Sequence, residues 1–301
     1  MNPHTPPLFE GCATALATPF RNGSLDKPAF LRLLRQQLDG GVDALVVAGT
    51  TGESPTLTDG EKKWLFRTAV EVTAAAPRSI PVIAGTGSNN TRRACELSRM
   101  AEDCGCHGLL VVTPYYNKAS EAGLISHYEA VANATSLPVI AYHVPSRTGC
   151  KMSPAACRKL AAIPNLVGLK DATGDLSFTA RTAALCGDSL PLYSGNDDQT
   201  LPILSLGGYG VISVVSNLCP EAMTRLCRLW REGKTAEARD LQLSLIPLCD
   251  ALFCEVNPIP VKAACAAMGF CENYLRLPLT PMEEDHRQNL LRLMRKAGIN
   301  V

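Results

Sequence analysis

An eightfold alternation constrains this chain more than any other feature. Short apolar, β-branched runs recur at residues 14–18, 44–48, 81–84, 108–112, 139–142, 166–169, 190–193 and 210–214. Longer segments with apolar residues at helical spacing follow them, such as 27–38, 59–75 and 91–104. A run of four or five apolar residues is strand length, whereas the intervening segments have helix length and helix period. Helix-start signals precede several segments: Thr58-Asp59, Asn90-Thr91 and Ser153-Pro154. No two-residue hairpin signal is expected to interrupt the eight units, so the sheet should be parallel throughout. Closure into a (β/α)8 barrel is the natural solution for eight strand–helix units. An open doubly wound sheet is the alternative.

The chain's 301 residues suit one such barrel with an appendage. The strand signal stops near Gly233, and segments 234–248, 259–268 and 281–297 read as three further helices. The expected division is therefore residues 1–232 for the barrel and 233–301 for a C-terminal helical extension packed on it.

A 46% hydrophobic and 19% charged composition describes a soluble globular chain with a sizeable core. The net charge of +1 offers no basic field for nucleic acid. MNPHTPPLFEG shows no basic segment leading into an apolar one, and no apolar run is long enough to cross a bilayer. A cytoplasmic protein without membrane or nucleic-acid partners is expected. Thirteen cysteines include no C-x-x-C pair. The tightest cluster, Cys104, Cys106 and His107, lacks a second ligand pair at metal-site spacing, so no metal is expected. The thiols read as small apolar residues of a reducing compartment.

In a barrel of this kind the reactive residues sit at the C-terminal ends of strands and in the loops that follow. Lys170 ends the apolar run of the sixth strand. A lysine entering a barrel mouth is desolvated, which lowers its pKa and frees the neutral amine to form a Schiff base with a ketone. Tyr142, one strand earlier, reaches the same space. Thr50 and Tyr116 end the second and fourth strands and add two hydroxyls that can pass protons. Thr50-Thr51, flanked by glycines, suits a turn facing an anion. Arg147, in a Pro/Gly-bounded loop, has the planar fork that suits a carboxylate. Each has a plainer alternative: a lysine stem lying along apolar surface, tyrosines bonded to backbone, a helix cap, a surface ion pair. No nucleotide-binding fingerprint follows the first strand, and no Walker-type loop is present. Of the histidines His4, His107, His127, His143 and His286, only His143 falls at a strand end, which leaves a metal-dependent aldolase without ligands.

Taken together, the strand-end motifs resemble the dihydrodipicolinate synthase / N-acetylneuraminate lyase family of class I aldolases. They are GTTGES (49–54), AGTGSN (84–89), TPYYN (113–117), YHVPSRTG (142–149), GLKDATG (168–174), SGND (194–197), GVISV (210–214) and NPIPVK (257–262). The likeness runs in order along nearly the whole chain. The doubled threonine and the PSRTG loop look more like the synthase branch than the sialic-acid branch. The resemblance implies that Lys170 binds pyruvate covalently, with no external cofactor. It implies that Tyr142 moves protons beside Lys170, and that Thr50 and Tyr116 complete a relay, Tyr116 from a neighbouring subunit. Thr51 would hold the pyruvate carboxylate, Arg147 the carboxylate of L-aspartate 4-semialdehyde, and the Ile212 backbone would border the pyruvate pocket. The product implied is 4-hydroxy-tetrahydrodipicolinate, on the route to diaminopimelate and lysine, made by a homotetramer. The alternatives are another pyruvate-dependent aldolase or dehydratase of the superfamily and an inactive binding or regulatory homologue. Two positions depart from the family pattern: His143 stands where asparagine is usual and Asp171 where glutamate is usual. In lysine-sensitive members the inhibitor occupies a crevice between subunits. Its histidine and glutamate positions fall here on Asp59, Lys62 and Arg93, while Ser54, Asn89 and Tyr115 remain compatible, so weak or absent feedback by lysine is expected.

Overall fold

The computed structural model describes residues 6–301; His4 and the rest of residues 1–5 lie outside the described residues. Eight parallel strands close into a barrel in sequence order: β1 Gly11–Ala15, β2 Ala44–Val47, β3 Val82–Gly85, β4 Gly108–Val112, β5 Val139–His143, β6 Leu166–Asp171, β7 Leu192–Ser194 and β8 Gly210–Ser213. Helices α1 Lys27–Asp39, α2 Asp59–Ala74, α3 Thr91–Asp103, α4 Glu121–Ala132, α5 Pro154–Leu160, α6 Leu176–Cys186, α7 Thr200–Ser205 and α8 Pro220–Arg231 ring it. The expected caps form. Thr58 makes a capping box with Glu61, and Asn90 and Ser153 accept from the backbone N–H of Arg93 and Ala156.

The period of two along each strand sorts side chains between two cores. Ala13, Val46, Ile83, Leu110, Ile140 and Ile212 fill the lumen. Their neighbours Cys12, Leu45, Val82, Leu109, Ala141 and Val211 pack beneath the helices. The β5–β6 pair breaks this count once: Val139 pairs with Leu166, but Ile140 pairs with Gly168. Val167 is thus an extra residue, a bulge that flips the alternation of everything after it. Without it, Lys170 would share the outward face of Leu166. With it, Lys170 is paired with Tyr142 and both enter the lumen.

Three expectations needed correction. Asn22-Gly23 is a two-residue hairpin turn after all, with φ of 49° and 78°, joining Phe20–Arg21 to Ser24–Leu25 outside the barrel. The first strand starts at Gly11, three residues earlier than expected. Gly11 reads as a turn residue, but a Cβ on its partner Gly210 would lie 1.9 Å from the Gly11 carbonyl oxygen, so the two glycines permit barrel closure. The seventh strand lies two residues later than its apolar run began and extends to Ser194. Three further helices follow the barrel: α9 Thr235–Phe253, α10 Ile259–Ala267 and α11 Glu284–Lys296. The first of them continues through Pro247 because Leu245, Leu248, Cys249 and Leu252 are buried on either side of it, outweighing one lost backbone bond.

Candidate active site

Tyr142 and Lys170 are partners across β5 and β6, and the Lys170 Nζ lies 4.3 Å from the centroid of the Tyr142 ring. Both are buried and line a cavity of about 160 Å³ in the barrel mouth, whose lining also includes the buried Thr51 and Asn257, the half-buried Thr50 and the exposed Arg147. Gly195 makes room for the lysine, since a Cβ there would lie 3.1 Å from the Lys170 Cε. Burial pushes the Lys170 ammonium down to about 8; Asp197 opposes the shift and Arg147 adds to it. A drop from 10.5 raises the neutral fraction near neutral pH by roughly two orders of magnitude. Burial pushes the Tyr142 phenol up, offset in part by the Arg147 charge and the Thr50 hydroxyl beside it. Asp197 is itself held by the Ser213 hydroxyl at 2.5 Å and the Val214 N–H at 2.9 Å.

The threonine pair sits on a tight turn after β2. Glu53, next to it, has a left-handed backbone (φ 54°), which costs a non-glycine residue about 1–2 kcal/mol. The C-terminal extension secures it. Lys262, fully buried on α10, donates to Glu53 Oε1 at 2.9 Å and to the Thr18 carbonyl at 2.5 Å. The Arg276 N–H donates to Glu53 Oε2 at 3.0 Å, and the Asn257 amide donates to Thr51 Oγ1 at 3.0 Å. Arg147 lies on the one-turn helix Pro145–Thr148 and donates to the Asn257 carbonyl at 3.3 Å.

Of the residues singled out from the sequence, Lys170, Tyr142, Thr50, Thr51 and Arg147 therefore meet at one cavity. Ile212 is buried in the lumen, and Val214, two residues on, reaches the cavity lining. Tyr116 is not brought there within one chain: it is 89% exposed, with φ of 73°. Sequence reasoning gave no role to Asn257, Glu53, Lys262 or Asp197. All four sit in quoted motifs. Asn257 and Lys262 lie beyond the barrel, where a search of strand ends does not look. His143 and Asp171 pair one step beyond Tyr142 and Lys170 and so face away from the lumen. His143 Nε2 accepts from the Met152 N–H at 3.0 Å, and Asp171 accepts from the Thr179 hydroxyl at 2.5 Å.

A second cavity, of about 390 Å³, adjoins the first through Thr50, Tyr142 and Arg147 and extends to Ser54, Lys62, Arg93 and Tyr115. Arg93 is ion-paired with Asp59 and Glu96. Lys62 is buried with no hydrogen-bond partner among the described residues, and burial lowers its pKa. No group of three or more His, Cys, Asp or Glu able to hold a metal occurs among the described residues, and no helix there is long and apolar enough to cross a membrane.

The model of the dihydrodipicolinate synthetase family matches residues 8–297. The chain belongs to that family. A 4-hydroxy-tetrahydrodipicolinate synthase of Alkaliphilus oremlandii is 47% identical over 292 residues, covering 97% of this chain and 100% of the relative. One from Thermotoga neapolitana is 45% identical over 296 residues, covering 97% and 100%. The crystal structure of dihydrodipicolinate synthase from Thermotoga maritima superposes with a TM-score of 0.94 at 44% identity, covering 97% of this chain and 99% of that one. Among synthetase-family folds this barrel is thus an ordinary one, and the open-sheet alternative falls away.

Proposed function

We propose that this chain catalyses the reaction its relatives are named for, as a Schiff-base lyase joining pyruvate to L-aspartate 4-semialdehyde. The observation that carries the mechanism is the buried Lys170 amine, its pKa lowered to about 8, over the Tyr142 ring at a cavity edged by Thr51 and Arg147. The neutral Nζ attacks the ketone carbon of pyruvate, and loss of one water gives a protonated imine. That cation draws electrons from the adjacent methyl carbon, which gives up a proton and becomes an enamine. The enamine carbon bonds to the aldehyde carbon of the second substrate, and the aldehyde oxygen takes a proton to become a hydroxyl. The substrate's own amine then attacks the imine carbon, closing the ring and releasing the lysine. The sum is 4-hydroxy-tetrahydrodipicolinate plus one water, with no external cofactor.

Each proton transfer needs a hydroxyl within reach of the imine carbon. Tyr142 supplies the nearest, Thr50 the next, and Tyr116 from a second copy of the chain would link them to solvent. Thr51 holds the pyruvate carboxylate, the Ile212 backbone borders the same pocket, and Arg147 holds the carboxylate of the semialdehyde. A charged fork at that position disfavours polyol substrates, which call for neutral partners. The assembly proposed is a homotetramer of two dimers, working in the cytoplasm.

Incubation with pyruvate and borohydride should trap one adduct per chain, on Lys170. Lys170→Ala should abolish trapping and nearly all turnover. An adduct mapped to Lys262 or Lys118 would sink the assignment. A coupled assay with aspartate semialdehyde beside a panel of other aldehydes tests the second substrate.

A further inference from the structure

Asn257 is 95% buried in the loop between α9 and α10 and lines the Lys170 cavity. Its side-chain NH2 donates to Thr51 Oγ1 at 3.0 Å, and its backbone carbonyl accepts from Arg147 Nη2 at 3.3 Å. Its Oδ1 is buried and has no hydrogen-bond partner among the described residues. One residue thus touches both carboxylate-binding groups and holds a spare acceptor beside them.

We propose that Asn257 is a specificity-determining residue: its NH2 fixes the Thr51 hydroxyl as a donor toward the keto-acid carboxylate, and its Oδ1 accepts from the α-ammonium of the second substrate. A threonine hydroxyl has one hydrogen. When its oxygen accepts from Asn257, that hydrogen is left for an anion in the cavity. Turned the other way, the amide oxygen would take the hydrogen and leave a carboxylate facing lone pairs. Buried acceptors are nearly always satisfied, so the open Oδ1 favours a ligand that brings N–H groups. An α-amino acid carries its carboxylate and ammonium on one carbon. Arg147 and Oδ1, joined through a single residue, match that pair. A des-amino aldehyde acid can engage only Arg147, and its discrimination follows the rule that a site built for a hydrogen bond rejects the analogue lacking it.

The inference rests on the condensation proposed above, and the test separates the two. Wild type is first treated with pyruvate and borohydride; no adduct on Lys170 would refute the covalent reading itself. Then KM for aspartate semialdehyde, KM for pyruvate and Ki for 4-oxobutanoate, the same aldehyde acid without the amine, are measured for Asn257→Ala and Asn257→Asp. In the alanine variant the semialdehyde KM should rise about tenfold to a hundredfold, the range of a lost bond to a charged group, while Ki for 4-oxobutanoate stays within about threefold. The aspartate variant keeps an acceptor for the ammonium but claims the Thr51 hydrogen. It should hold the semialdehyde KM and raise the pyruvate KM about tenfold or more. Equal shifts for semialdehyde and 4-oxobutanoate, or an unchanged semialdehyde KM in the alanine variant, would overturn the proposal. So would an aspartate variant with an unaltered pyruvate KM. Should alanine not fold, Asn257→Ser decides on the same constants.

Discussion

Lys170 and Tyr142 stand opposite one another on neighbouring strands, the amine 4.3 Å from the ring centroid. The ring face attracts a cation, while burial repels it. The two influences leave the amine available as a nucleophile and would still welcome the protonated imine of the proposed reaction. Burial alone would leave the iminium without a counterpart.

A pH dependence follows. Only the neutral amine attacks, and its pKa stands at about 8. The rate of pyruvate trapping should climb about tenfold per pH unit below that value and level off above it. A profile still climbing steeply at pH 10 would mean that Lys170 is not desolvated in solution.

Tyr116 is exposed and does not line its own chain's cavity, so the proposed relay depends on a partner. Mixing Tyr116→Phe with Lys170→Ala chains should restore activity that neither variant has alone, since one pocket of each hybrid dimer regains every group. Subunit exchange verified by mass spectrometry without any recovery would rule out the crossing.

Feedback by lysine should be weak or absent. The second cavity presents Lys62, which forms no ion pair among the described residues, whereas Arg93 is already engaged by Asp59. An incoming ammonium at ~4 Å from Lys62 loses about 1–4 kcal/mol, or about fivefold to several-hundredfold in affinity. Steady-state inhibition with half-effect below about a millimolar, the weak end of small-ligand binding, would contradict this.

His143 gives an acid-sensitivity prediction. Burial pushes its imidazole down to about 4, Asp171 opposing. Below the ordinary value of 6.5 the unfolded chain takes up the proton first, so this residue's contribution is complete above 6.5 and erodes as pH falls toward 4. The maximal loss is about 3 kcal/mol. His143→Asn removes the titration. Urea unfolding at pH 7 and pH 4.5 should show wild type losing about 2–3 kcal/mol more than the variant across that interval. Parallel losses would show that the ring is not buried neutral.

How much of this was legible beforehand varies with the physics involved. Apolar period and caps announced all eight strands and most helix starts, because both are local. The five residues at the cavity followed from one rule about strand ends. The Val167 bulge was not legible: a run of Leu166, Val167, Gly168 and Leu169 looks the same with or without an extra residue, and only the partner strand reveals the miscount. Asn257 stayed silent because its value comes from a contact 206 positions away. The Asn22-Gly23 turn was readable and was missed, since the surrounding strands are only two residues each.

The Glu53–Lys262 pair also bears on the order in which the molecule is made. The last barrel strand ends at Ser213, yet Glu53 lacks its ammonium until residue 262 has been synthesised, and its backbone donor until residue 276. In the finished fold, removing either partner of this buried pair costs about 3–5 kcal/mol. Until then the left-handed turn at Glu53, and with it the Thr50-Thr51 pair, lacks the contacts that hold it. The scaffold comes first, and catalytic competence arrives with the final quarter of the chain.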